Sequence, residues 1–432
     1  LPKEGSHLDL AIAIGILIAS GQVVPKKDLS QLIWAGELGL AGNVRTTSST
    51  ISLAIAAQKV KKQLILARKA LLPDVLQVEP YVLGVESLHE ASGFLEQKSG
   101  YITLPKVEVT NAVDGKVQDR VVFEDIQGNE IGKVGVLLAI SGGHSLLLEG
   151  CPGVGKTMLA CSAEGIIPDL EKQELLNVAQ IYSMMGEIRL SYRPPFRAPH
   201  HMISVSGLLG GGQIFFPGEM SLAHQGILFL DELTEYNRLT LDHLREPLVS
   251  GKITISKSSY RKNMPSRCIL IAAMNPCPCG NFGIHNEDCI CGYREVIKYR
   301  SCLSGPFIDR MDIHVKLSRT AHKEIKDDVL GRCFSMVSTS RRAASVVMRA
   351  RKRQIQRQGR LNYELTIDEM LAKAKNCKKI RMWIDEIRQE KRLSMRGVGK
   401  TLSLAYTFMD CMQEDKIDWT HISMAEKMRI FV

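Results

Sequence analysis

The chain lacks any apolar run long enough to cross a bilayer. Its longest, residues 10–19, covers about half of the roughly 20 residues that a spanning helix needs, and reads as a buried helix. No leader with a charged start, an apolar middle and a small-residue cleavage site is visible, which predicts a cytoplasmic protein without membrane partners. Internal repeats and low-complexity tracts are absent, which argues against solenoid and fibrous architectures. Cysteine is too sparse for a disulfide scaffold, 11 in 432 residues, yet four of them cluster, which points to metal chemistry in a reducing compartment. There is little charge excess: 56 Lys+Arg face 46 Asp+Glu, a mild basic balance that suits an acidic partner such as nucleic acid without requiring one. The first residue is Leu1, inside what reads as the middle of a domain, so the expectation is a fragment with some preceding structure missing.

What is present is globular composition, 45% hydrophobic, with length for two to three domains. Residues 1–105 carry a helix pattern at 8–20, a second helix at 53–66 and a short strand at 81–84, and read as a small α/β domain. A linker follows at 106–121, most polar at 110–120. From Val122, apolar strand-like runs recur at 145–148, 226–230 and 268–273 with helical stretches between them, the pattern of a parallel sheet covered by helices. From about Ala321 the chain is helical and charged with no strand signal, and reads as a third, all-helical domain.

Every fixed position of the phosphate-binding pattern G-x-x-x-x-G-K-[ST] is filled in Gly150-Cys-Pro-Gly153-Val-Gly155-Lys156-Thr157, after a strand and before a helix at 158–163. The glycines let backbone N–H groups turn inward around phosphates; Lys156 is expected to reach the β- and γ-phosphates of ATP, and Thr157 to bind Mg²⁺. Residues 394–401 look similar at Arg396-Gly-Val-Gly-Lys400-Thr401. Ser394 replaces the first glycine there and no strand precedes, so a helix–loop feature is expected and not a second ATP site. Residues 227–230 make a buried strand that ends in Asp231 and Glu232, at the edge where parallel sheets bind ligands. Asp231 is expected to hold Mg²⁺, and Glu232 to orient and deprotonate the attacking water. The strand at 268–273 runs into Asn275, placed to help position that water. Arg310, in Ser304-Gly-Pro-Phe-Ile-Asp-Arg310-Met-Asp312, has two readings: an arginine reaching a neighbouring subunit's γ-phosphate, or a surface ion pair.

Together these segments resemble the AAA+ ATPases and, more narrowly, the magnesium-chelatase-like ComM/YifB family. Phe123-Glu-Asp-Ile-Gln-Gly128 resembles the AAA+ opening motif. The family's signature is similar to Pro195-Phe-Arg-Ala-Pro-His-His201, Gly210-Gly-Gly212 and Pro217-Gly-Glu-Met-Ser-Leu-Ala-His224. So are Leu244-Arg-Glu-Pro-Leu248, Met274-Asn-Pro-Cys-Pro-Cys-Gly280, Leu303–Arg310 and Leu393-Ser-Met-Arg396. The resemblance covers essentially the whole chain. It implies an α/β fold: an AAA+ P-loop parallel-sheet core at 122–320 with an insertion near 193–218, a four-cysteine loop at 277–291, and a helical lid at 321–432. Residues 1–105 would be a partial Lon-protease-like domain of ribosomal-protein-like fold. It also implies a hexameric ring, Arg310 as arginine finger, Arg396 as the lid arginine contacting nucleotide in the same subunit, and DNA helicase activity promoting branch migration in natural transformation.

Departures from the family pattern carry their own expectations. His7 stands at about the protease nucleophile position, Ile51 near the partner lysine, and Ser6 has no evident base, so no peptidase activity is predicted. Gly132 and Gly135 fall in the helix before the phosphate loop, each costing about 1 kcal/mol against alanine, and Cys302 takes a position usually basic. Cys277, Cys279, Cys289 and Cys291 form a C-x-C…C-x-C pair that suits tetrahedral Zn²⁺, with His285 or Asp288 as substitute ligands; four reduced thiols in an ordered loop is the other reading. Residues 341–360 hold eight basic residues and no acidic one, either a solvated helix face or a phosphate-backbone surface. His200 and His201 diverge too much for a metal pair, and a loop-ordering or DNA-contact role is expected. The functions left open are a DNA-translocating ring ATPase, a chelatase-type motor subunit remodelling a partner that inserts Mg²⁺, and a non-enzymatic remodelling role.

Overall fold

The computed structural model describes residues 7–47, 50–70, 82–97, 121–187, 189, 191–212, 216–257, 260–283, 289–317, 328–374, 378–390 and 394–429. The linker expected at 106–121 lies outside them except at Val121, as do Ser6, His285 and Asp288. Two compact units divide the chain: Leu1–Lys116 with Glu171–Tyr192, and Val117–Leu170 with Arg193–Val432.

In the first unit, helix α1 (Asp9–Ala19) buries Leu10 and Ile14 but leaves Ile12 and Ile16 exposed, so the helix expected to be buried is covered on one face only. Strands β1 (Leu32–Trp34), β2 (Glu37–Leu38) and β3 (Val44–Arg45) follow, then α2 (Thr50–Lys59). The helix expected over 53–66 stops at Lys59: Lys61 turns the chain at φ +54, and β4 (Gln63–Ala67) begins. Leu64, Ile65 and Leu66 are buried between β1 and β5 (Val82–Val85) in a parallel sheet ordered β1-β4-β5. A short apolar run buried on both faces has no periodicity to separate strand from helix, which is why the pattern misleads here. Helix α3 (Leu88–Leu95) starts at Ser87, whose hydroxyl accepts from the Glu90 N–H. The helix Lys172–Ser183 packs on α2 through a stripe that includes Leu175, Val178, Ala179 and Tyr182. Residues 171–192 therefore belong with the first unit, although the sequence order sets them inside 122–320.

The second unit opens with α4 (Glu130–Gly142), β6 (Leu146–Gly150) and α5 (Lys156–Ser162). Two short edge elements follow: β7 (Phe196–Arg197), then the pair β8 (Gly210–Gly211) and β9 (Phe216–Pro217). Next come β10 (Ile227–Leu230), an antiparallel hairpin of β11 (Lys252–Lys257) and β12 (Tyr260–Pro265), β13 (Ile269–Met274), helix α6 (Tyr293–Arg300) and β14 (Ile313–Leu317). Five strands form one parallel sheet in the order β14-β6-β13-β10-β7. The three predicted strands are β6, β10 and β13, each found within two residues of its expected span.

Gly132 and Gly135 in α4 are close-approach positions rather than defects. A Cβ on Gly135 would sit 2.8 Å from Val315 Cγ2, and one on Gly132 2.7 Å from Leu159 Cδ1. The missing side chains let α4 lie against β14 and α5, and that packing offsets the propensity cost.

Among the described residues, the chain from Asp328 onward is helical, including α7 (Ser340–Gln358), α8 (Met395–Cys411) and α9 (Trp419–Lys427). These helices share one continuous core with the sheet, from Leu146 and Ile271 to Val347, Leu402, Trp383 and Met424. A buried polar chain ties the same parts. Arg357 donates to Asp410 at 2.6 and 2.8 Å, and Asn362 bridges Asp410 and Thr407. Thr407 meets His144 Nε2 at 2.7 Å, and Lys400 pairs with Asp312 at 2.8 Å. Burial alone would raise the Asp312 carboxyl, but Lys400 and His144 beside it hold it well below the carboxylate range. Residues 396–401 lie wholly within α8: Ser394 caps the helix by accepting from the Gly397 N–H, so the near-miss glycines wrap no phosphate and serve packing, Gly399 against Ile367. No helix among the described residues is long and apolar enough to cross a membrane.

Candidate nucleotide site

At the C-terminal end of β6 the chain turns through Gly153 (φ +75) and Gly155 (φ +90) into α5. A Cβ at either glycine would meet nothing within 4 Å, so the loop encloses open space lined by backbone, with the helix N-terminus behind it. Gly150 differs: a Cβ there would press on Val154 and Leu317, so this glycine serves the close packing of the turn. Lys156 Nζ donates to the carbonyls of Gly150 (2.7 Å) and Cys151 (3.0 Å) and to Asn275 Oδ1 (2.8 Å). Burial lowers the Lys156 ammonium, while Asp231, Cys151 and Glu232 favour its charged form. The Thr157 hydroxyl donates to Asp231 Oδ2 at 2.8 Å. Five of the residues expected to handle ATP and Mg²⁺, Lys156, Thr157, Asp231, Glu232 and Asn275, thus converge at the ends of β6, β10 and β13. The cradle and the paired hydroxyl and carboxylate suit a Mg²⁺-bound triphosphate.

Glu232 sits in the left-handed region at φ +49 with a 63% exposed side chain. Asp231 Oδ1 accepts its N–H at 2.9 Å, which holds the turn. Opposite Glu232 Oε2, at 3.4 Å, lies His201 Nδ1. Sequence reasoning gave His201 no place at this site. The register explains the meeting: Arg197 pairs with Leu228 across β7 and β10, so residues four further along each parallel chain reach the same edge. Tyr236 supports the loop by donating to the Pro199 carbonyl at 2.6 Å, and His200 stacks on His201 with ring centroids 4.0 Å apart.

Arg310 and Arg396 are elsewhere. In the β6–β14 pair, Leu146 faces Ile313 and Gly150 faces Leu317, so Arg310, which precedes β14, lies at the opposite end of the sheet from the phosphate loop, about 16 Å away for a five-residue strand. Arg396 joins it there: its Nε is 3.5 Å from Asp309 Oδ2, and both arginines border a cavity of about 450 Å³ that Arg267, Arg360 and Lys400 also line. The same-subunit contact expected for Arg396 is not what this arrangement allows, because α8 is pinned to the far edge by Lys400–Asp312. Arg310 donates to the carbonyls of Arg245 (2.8 Å) and Pro306 (2.6 Å), and among the described residues to no carboxylate. Burial, then Arg396 and Arg245, lower its guanidinium below its usual range, as expected where cations gather without enough anions.

The four cysteines come together. Sγ separations are 3.3 Å (Cys277–Cys279), 3.7 Å (Cys277–Cys289) and 3.6 Å (Cys279–Cys289), and all four sulfurs lie within 4.8 Å of one another. Backbone amides donate to sulfur, among them Cys279 N–H to Cys291 and Phe282 N–H to Cys277. By contrast, half of the basic run 341–360 is engaged within the fold. Arg351 donates to the Ile140 carbonyl, Arg353 to Glu414 and Asp415, Arg357 to Asp410, and Arg360 to Glu369. Arg341, Arg342, Arg349 and Lys352 remain exposed.

The β11–β12 hairpin was not anticipated. It falls between β10 and β13 along the chain with Lys252, Arg261 and Lys262 exposed, and Gly211 of the β8–β9 pair approaches its Ile255. The alternation at Lys252-Ile-Thr-Ile-Ser was the signal available in the sequence.

Residues 122–325 match the family described as magnesium chelatase, subunit ChlI; residues 1–70 and 337–429 match further ChlI families, the latter its C-terminal part. The chain is 38% identical to the protein YifB of Escherichia coli over 99% of its length and 83% of the relative's. It is 34% identical to the competence protein ComM of Haemophilus influenzae, over 100% of the chain and 84% of that protein. A distant match, 26% identical over 38% of the chain and 18% of the relative, is the DNA replication licensing factor Mcm2 of Drosophila melanogaster. The fold and site define a P-loop AAA+ ATPase. The chain belongs to the magnesium-chelatase-like ComM/YifB family.

Proposed function

We propose that this chain is the subunit of a ring-shaped, Mg²⁺-dependent ATP hydrolase that moves DNA, a hexameric helicase promoting branch migration. The observation that carries the reading is the separation of two half-sites on one sheet: the phosphate loop at one end, Arg310 and Arg396 at the other. A closed ring brings the second half-site of one subunit to the first of the next. Lys156 holds the β- and γ-phosphates, and Thr157 and Asp231 hold Mg²⁺. Mg²⁺, when bound, neutralises charge that develops on the phosphate oxygens. Glu232 takes the proton of the attacking water, Asn275 positions that water, and His201 holds the Glu232 carboxylate until it is needed. Arg310 and Arg396 supply positive charge to the neighbour's γ-phosphate, which revises the same-subunit role expected for Arg396.

The β11–β12 hairpin supports DNA as the load, since its exposed Lys252, Arg261 and Lys262 can follow a phosphate backbone. The name of the DNA replication licensing factor agrees with a role on DNA and that of the competence protein ComM with a role in competence, and the setting is read as cytoplasmic. Residues 1–105 are read as a partial Lon-protease-like domain without peptidase activity, and the four thiols as a Zn²⁺ site. The deciding experiment is ATP turnover with and without branched DNA. Stimulation by DNA, lost in Arg261→Ala/Lys262→Ala, supports the reading. Robust turnover indifferent to DNA would instead favour a chelatase-type motor acting on a partner protein.

A further inference from the structure

The cysteine knuckle is built into the nucleotide site. Asn275, which accepts from Lys156, stands two residues before Cys277. Gly280, inside the knuckle at φ +87, lies so close to the phosphate loop that a Cβ there would fall 2.3 Å from Pro152 Cδ. Just beyond Cys291, helix α6 returns Arg300 to the same place. Its guanidinium donates to the Pro276 carbonyl (3.2 Å) and to Glu149 (2.5 Å), the buried residue immediately before Gly150, and covers the Phe282 ring at 5.6 Å. Its neighbour Tyr299 accepts from Thr234, two residues beyond Glu232, at 2.6 Å. The knuckle therefore touches the phosphate loop through Gly280 and Pro152 and continues directly from Asn275, while helix α6 behind it ties Glu149 and Thr234 to the same place.

Four thiolates at 2.3 Å from one Zn²⁺ in a tetrahedron stand about 3.8 Å apart, and the recorded separations of 3.3 to 3.7 Å approach that spacing with little movement. Metal would fix the knuckle, and the knuckle would fix Pro152, Asn275 and Arg300. We propose that Zn²⁺ bound by Cys277, Cys279, Cys289 and Cys291 sets the nucleotide affinity of the phosphate loop, acting through the Gly280–Pro152 contact and the Arg300–Glu149 tie. This rests on the zinc reading above. The metal touches neither ATP nor water, so it is a positioning device, and its loss shows in binding as well as in turnover.

The test uses the full chain and two readouts, zinc content by metal analysis and affinity for a fluorescent ADP. The expected results are about one zinc per chain, a roughly tenfold loss of ADP affinity when a strong zinc chelator removes it, and recovery on adding Zn²⁺. Cys289→Ser/Cys291→Ser should lose both zinc and affinity. Because that variant can fail through misfolding, Gly280→Ala is the second probe: it leaves all four thiols, should retain zinc, and should bind ADP several-fold more weakly by displacing Pro152. Zinc present but ADP affinity unchanged after its removal, or unchanged in Gly280→Ala, overturns the coupling and leaves the zinc reading standing. Absence of zinc, with affinity indifferent to chelator, overturns both.

Discussion

Single residues at the site have separable effects on the proposed reading. Lys156→Ala removes the ammonium that reaches the phosphates, so nucleotide binding should be abolished in a fluorescent-nucleotide titration. Glu232→Gln should bind ATP near normally and lose hydrolysis; normal turnover would displace Glu232 as the base. Away from the nucleotide, Lys400→Met leaves the Asp312 carboxylate with Ser145 and His144 but without its ammonium, at a cost of about 2–3 kcal/mol measurable by denaturant unfolding. Two histidines give a pH dependence. Burial, then Arg267, lowers His224 to about 4, and its Nδ1 accepts from the Arg267 N–H. Burial, then Arg429 and Lys400, lowers His314 to about 4. Between the ordinary value of 6.5 and 4 the unfolded chain takes up protons that the folded chain refuses. Stability is therefore full above 6.5 and falls as pH drops through that window, by on the order of 3 kcal/mol per histidine at most. Denaturation midpoints that stay level from pH 7.5 down to about 5 would contradict this.

At the level of elements, α4 offers a direct contest between helix propensity and packing. Propensity says that Gly135→Ala should stabilise by about 1 kcal/mol. The 2.8 Å approach to Val315, a stiff β-branched side chain in β14, says that it should destabilise by about 1–3 kcal/mol, and thermal unfolding decides. The phosphate loop, β10 with its carboxylates and β13 were legible in the sequence because their patterns are local: a fixed spacing, or an apolar run ending in polar groups. The strand at Gln63–Ala67, the partnership of Lys172–Ser183 with α2, and His201 beside Glu232 were not. Each depends on what a segment packs against, and the distance along the chain carries no trace of it. The basic run at 341–360 was only half legible for a related reason: four of its arginines find carboxylates or carbonyls in segments far away or beyond the next turn.

For the whole molecule, the placement of Arg310 and Arg396 matters most. Local sequence marked Arg310 and the family resemblance Arg396, but only the β6–β14 register and the Arg396–Asp309 contact set them at the sheet end remote from Lys156. On the proposed reading, a chain with its phosphate loop and its arginines so far apart carries half a catalyst at each end, and a ring would join the halves. Arg310→Ala should therefore bind nucleotide near normally and turn nothing over, and Arg396→Ala should behave alike. The most direct test mixes two inactive variants, Lys156→Ala and Arg310→Ala, at equal amounts under conditions in which subunits exchange. If the site is completed between subunits, about a quarter of the interfaces pair an intact loop with an intact arginine, and ATP turnover returns. If turnover stays at the level of the separate variants while mixed rings form, the shared site is refuted.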